Sequence, residues 1–150
     1  MFSSHTSGRW KNSLLENGDC DDGWTKCYVD PATGIEWLEY YPYPEDRSPP
    51  YMRHASIPED PEVLLRTALT SASKDDWIGV AAYASGQLDT ELTVRIFESL
   101  LDDISPAARK SFARSFRPDD NRNVVGMSYS EVTASYNRYL AACERMKSLK

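Results

Sequence analysis

The side chains with the greatest chemical reach in this 150-residue chain are two histidines, three cysteines and four adjacent carboxylate pairs. His5, in an amino terminus expected to be frayed, and His54, beside a proline-rich loop, lie far apart in sequence, and neither belongs to an H-E-x-x-H or other metal-spaced cluster, so both are expected as solvated surface histidines. Cys20, Cys27 and Cys143 are an odd set without C-x-x-C spacing. They predict neither a disulfide framework nor a zinc site, and they fit a reducing cytoplasm. Cys27 falls in a strand-like segment and Cys143 on a helix face, where a small hydrophobe is the usual role. The pairs Asp21-Asp22, Asp75-Asp76, Asp102-Asp103 and Asp119-Asp120 sit at element boundaries or in loops, where caps and helix dipoles explain two of them. None has the spacing of a calcium loop. Walker A and dinucleotide motifs are also missing from a chain with seven glycines. The expectation is a protein with no catalytic residues, no metal and no cofactor.

Charge is distributed unevenly. Residues 1–60 hold 11 acids against 5 bases, whereas residues 61–150 hold 12 of each, so the whole net charge of -6 comes from the first 60 residues. An acidic region repels phosphate backbones, which argues against direct nucleic-acid binding and favours a basic partner. The basic stretch Arg109, Lys110, Arg114, Arg117 and Arg122 places residues 110, 114 and 117 on one helix face. A solvated face, or one paired with the acidic region, is the expectation there. No apolar run approaches the roughly 18 residues that span a bilayer, so no membrane association is expected.

The elements that must position these residues change period near Pro58. Segments 23–29 and 35–41 are rich in β-formers and flank Asp30-Pro31-Ala32-Thr33-Gly34, a turn in which Asp30 bonds its own backbone, Pro31 presets φ and Gly34 accepts a positive φ. Together they predict a β-hairpin, with residues 10–15 as a third strand or short helix. The buried face of the hairpin is not decided by its pattern. Pro42-Tyr43-Pro44 and Pro49-Pro50-Tyr51 bracket an acidic loop presenting tyrosines. From Asp60 the period is helical, with starts at Asp60-Pro61, Ser73, Asp89, Ser105-Pro106 and Ser128, the second helix ending before Gly86. On the last helix Val132, Tyr136, Tyr139, Leu140, Cys143 and Met146 read as a core stripe. The expected fold is α+β in one domain spanning 1–150: a small antiparallel hairpin or meander in residues 1–58, packed against about five helices in 59–150.

Asp22-Gly23-Trp24, Tyr28-Val29-Asp30-Pro31-Ala32-Thr33-Gly34-Ile35-Glu36-Trp37, Tyr40-Tyr41-Pro42 and Pro49-Pro50-Tyr51-Met52 together resemble the core pattern of the immunity protein 27 family, bacterial antitoxins of polymorphic-toxin systems. The resemblance covers residues 22–52 and departs where Asp46-Arg47-Ser48 replaces a run of glycines. It implies a cytoplasmic immunity protein that neutralises a cognate toxin by direct contact, and it carries no catalytic residues. An acidic inhibitor fits a basic toxin domain, with a nuclease as the favoured activity. The expected toxin-binding residues are Trp37, Tyr40, Tyr43 and Tyr51 as anchors and Glu36, Glu39, Glu45 and Asp46 as charged partners, with the loop residues Tyr43, Glu45, Asp46 and Tyr51 preferred; a core role is the other reading of Trp24, Trp37 and Tyr41, and for the two tryptophans the favoured one. A helical adaptor or regulatory module with another protein partner is the alternative.

Overall fold

The Asp30 turn forms as its residues dictate. Asp30 Oδ1 accepts from the Ala32 N–H at 2.9 Å, Asp30 Oδ2 accepts from Thr33 Oγ1 at 2.8 Å, and Gly34 has φ of 70°. In the computed structural model, which describes residues 1–3, 13–19, 25–40, 51–58, 60–120, 122 and 124–149, this turn joins β3 (Lys26–Val29) to β4 (Glu36–Tyr40). Three further strands complete an antiparallel sheet: β1 (Phe2–Ser3), β2 (Leu15–Asp19) and β5 (Tyr51–His54), in the order β1-β5-β4-β3-β2. The expected third strand or short helix at residues 10–15 meets β2 at Leu15, and residues 10–12 lie outside the described residues. Tyr51 opens a strand, and most of the predicted tyrosine loop, residues 41–50, lies outside the described residues.

Among the described residues five helices follow: α1 (Pro61–Leu69), α2 (Lys74–Gln87), α3 (Thr90–Ser99), α4 (Pro106–Ser115) and α5 (Tyr129–Ser148). Each begins at its expected cap. Asp60, Ser73, Asp89, Ser105 and Ser128 accept from backbone N–H groups three residues on, and Glu131 returns the bond to the Ser128 N–H at 2.7 Å. The α+β class is thus as the periodicities imply. Helix α2 runs through Gly86 to Gln87, past its expected end. A helical glycine costs about 1 kcal/mol relative to alanine, and the neighbouring packing outweighs it: Ser85 is buried, bonds the Ala81 carbonyl and accepts from the Arg117 N–H at 2.9 Å.

The main core lies among the helices. Phe97 stacks on Phe112 (4.5 Å between centroids), and Phe112 on Phe116 (5.5 Å), all three fully buried. The sheet lays one face on α2 at the β1–β5 end. There Phe2 packs where Gly79 has no side chain, and a Cβ at residue 79 would collide with the Phe2 ring stem. The Tyr40 hydroxyl donates to the Gly79 carbonyl at 3.1 Å, and the Tyr40 and Tyr83 rings meet edge to face. The opposite face carries a second, smaller core of Leu14, Tyr28, Trp37 and Met52. Alternation along the strands fixes this division, because Tyr28 faces Trp37 and Glu39 faces Met52 across the sheet.

Three expectations change here. The amino terminus is not frayed at its first residues: Phe2 is buried, its N–H donates to Asp76 at 2.7 Å, and the Met1 amine pairs with the same carboxylate at 2.8 Å. His54 is half-buried in β5 with its ring edge-on to Trp37 at 4.1 Å, not solvated. Cys27 is disulfide-bonded, while Cys143 is free. Disulfide formation depends on how the fold brings two Cβ atoms together, which a spacing motif does not measure.

Candidate functional site

The eight expected contact residues part company in three dimensions. Tyr43, Glu45 and Asp46 lie outside the described residues. Trp37 and Glu39 are internal: Trp37 belongs to the small core, and Glu39 is 5% exposed and accepts from the Tyr28 hydroxyl at 2.9 Å. Their burial assigns them to holding the sheet, since a carboxylate so placed is tolerated when hydrogen-bonded and is closed to a partner. Tyr40 is half-buried and turned onto α2. Glu36 is exposed, and Tyr51 is half-buried.

The helices cover only one end of the sheet face on which Tyr40 lies. By register, Leu15, Val29, Glu36 and Leu38 share that face toward its other end. Leu15 is 62% exposed, Val29 and Leu38 are half-buried, Glu36 is exposed, and Ile35 beside it in the turn is also open to solvent. An apolar surface rimmed by an acid, in the part of the chain that holds the whole net charge, has the composition of an interface centre and its edge. Sequence alternation could not single out this face, because neither strand is apolar on one side throughout.

A second exposed apolar surface belongs to the helices. Of the nine large hydrophobic residues exposed on the described surface, six lie between residues 124 and 140: Val124, Val125, Met127, Tyr129, Tyr136 and Leu140. The expected core stripe on α5 therefore divides. Met146 is buried, Val132, Tyr139 and Cys143 are half-buried, and Tyr136 and Leu140 are open. The reason is that α5, packed against α3, buries only Ser135, Ala142 and Met146, leaving the flank of the stripe uncovered. Exposed ion pairs from Arg138 to Glu91 (3.2 Å) and from Arg145 to Glu98 (3.4 Å) bridge the two helices. The Arg122 guanidinium lies 5.1 Å above the Tyr136 ring, held from behind by Asp120. Burial, then the hydrogen bond with Cys143, pushes the Tyr139 phenol up to about 12.

A cleft between α2 and α4, of about 380 Å³, is lined by Lys74, Trp77, Ile78, Lys110 and Arg114 among others. It is continued by a smaller one of about 240 Å³ that Tyr51, Ile78, Ala82, Arg114 and Arg117 share. The basic face expected on α4 is thus the wall of a cleft. Among the described residues no helix is long and apolar enough to cross a membrane. Comparison with family models, with curated proteins and with solved structures returned no match.

Proposed function

We propose that this chain is an immunity protein that neutralises a basic toxin domain by direct contact through the open half of its acidic β-sheet. The observation that supports the reading best is the surface of Leu15, Val29 and Leu38 beside Glu36, left uncovered by the helices. Apolar residues of this kind anchor an interface, and the acids around it speed encounter with a basic partner. Tyr43, Glu45, Asp46 and Tyr51 complete the proposed contact set, with a nuclease as the favoured toxin. Trp37, Glu39 and Tyr40 support it from within the fold.

Expression beside the product of the gene immediately upstream should rescue growth and yield a one-to-one complex on co-purification. Leu15→Arg combined with Glu36→Lys should weaken that complex about a hundredfold, since both changes set positive charge against a basic surface at an anchor position. A folded double variant that binds as tightly as the parent would sink the assignment of this face. The alternative, a helical adaptor, is favoured by the exposed segment 124–140. It predicts the reverse pattern, with Tyr136→Ala and Leu140→Ala abolishing partner binding and the sheet variant leaving it intact.

Residence in the cytoplasm forms part of this reading, and the bond at Cys27 provides its test. Acid quenching and thiol alkylation of cells expressing the chain should find Cys27 alkylated if the protein works in a reducing compartment. A persistent disulfide in those cells would move the protein to an oxidising one.

A further inference from the structure

The cleft between α2 and α4 differs in sign from the rest of the molecule. Three cations line it, Lys74 from the first turn of α2 and Lys110 and Arg114 from α4; all are exposed and none is paired with an acid or hydrogen-bonded through its side chain among the described residues. The other basic side chains with described partners are mostly engaged: Lys26 with Glu16, Arg66 with Asp103, Arg122 with Asp120, Arg138 with Glu91 and Lys147 with Glu144. A chain of net charge -6 that leaves three neighbouring cations unneutralised around one cleft has concentrated its attraction for anions there. Between these cations lie half-buried Trp77 and Ile78, so the site offers apolar contact together with positive charge.

We propose that this cleft is a docking groove for an acidic polypeptide segment carrying an apolar side chain. The apolar residue would sit against Trp77 and Ile78, with flanking carboxylates meeting Lys74, Lys110 and Arg114. A volume of about 380 Å³ accommodates one large side chain with adjoining backbone, and the continuation toward Tyr51 and Arg117 gives the segment a direction. A polypeptide fits better than a nucleic acid for two reasons. The Trp77 indole is fixed by its bond to the Ser71 carbonyl at 3.0 Å and packs against the helical core, so it is not a free platform for stacking a base. A phosphate at every nucleotide would also extend beyond the groove into the field of an acidic protein. The partner is opposite in sign to the toxin proposed above, and the inference does not depend on that reading.

The test uses the full chain and a short fluorescein-labelled peptide in which Glu and Asp alternate with Leu and Phe, followed by fluorescence anisotropy. Saturable binding is expected, weakened at least tenfold by Lys110→Glu with Arg114→Glu. Raising salt from about 50 mM to about 500 mM should weaken the parent far more than this variant. Both substituted side chains are exposed, and a melting curve will verify folding. Ala107→Glu gives a second variant, because Ala107 lines the groove within the first turn of α4, where an added acid favours the helix but repels the peptide. It should weaken binding several-fold. Absence of saturable binding would overturn the proposal, as would affinity unchanged in both variants. Tighter binding of a single-stranded oligonucleotide than of the peptide would overturn it in favour of a nucleic-acid site.

Discussion

Phe112→Ala should remove about 3–5 kcal/mol of stability, read as a lower denaturant midpoint at unchanged slope. Phe112 is the middle ring of the stack that joins α3 to the end of α4, with Phe97 on one side and Phe116 on the other, and none of the three rings is accessible to water. Truncation removes the transfer free energy of the ring, leaves a cavity between two aromatic faces and ends both stacking contacts together. Native proteins are stable by roughly 5–15 kcal/mol, so the loss is a large fraction of the total. Phe112→Leu should cost markedly less, because it retains most of the buried volume. A loss below about 1 kcal/mol for the alanine variant would mean that α3 and α4 close over the gap. Because α4 also forms a wall of the basic cleft, the alanine variant should weaken peptide docking as well, and for that reason the docking test relies on exposed substitutions.

The parts of this fold that were legible in the sequence are those set by neighbours along the chain. Asp30, Thr33 and Gly34 specify their turn through bonds within a few residues, and the five helix caps act over three residues each, so both could be read from residue type and spacing. What escaped is set by distant partners. The first strand depends on Asp76 capturing the Met1 amine and on Gly79 making room for Phe2, contacts more than seventy residues apart in sequence. Residue type leaves Trp37 open between core and interface and makes Glu39 look like an interface acid, and the pairing with Tyr28 and Met52 shows both turned inward. For α5 the stripe was visible in the sequence, but whether it is covered depends on how closely α3 approaches. The helix buries Ser135, Ala142 and Met146 along one line and leaves Tyr136 and Leu140 outside it.

Asp76→Ala should cost about 3 kcal/mol and release the first strand, because a buried pair that loses one member leaves the other charge without compensation. The Asp76 carboxylate, 4% exposed in the first turn of α2, accepts from the Met1 amine at 2.8 Å and from the Phe2 N–H at 2.7 Å. Burial by itself would raise its pKa, but the bonds from the amine, from Phe2 and from Ser71 outweigh burial and hold it below the ordinary value of 3.8. A carboxylate depressed in the folded state contributes stability that is full above 3.8 and disappears as pH falls through the folded value. His54 acts at higher pH with the same sign. Burial first, then the nearby amine, lowers its pKa from 6.5 despite the opposing pull of Asp76, so its contribution is full above 6.5 and declines as acid protonates the folded ring. Stability measured by denaturant melts across pH should therefore fall in two stages on the acid side. His54→Gln should remove the earlier stage and Asp76→Ala the later one. In the Asp76 variant, amide exchange should accelerate at residues 52–54, which pair with the first strand, while the α3–α4 core remains protected. Uniform loss of protection across the core would instead make the amino-terminal contact essential to the whole fold rather than to the sheet edge.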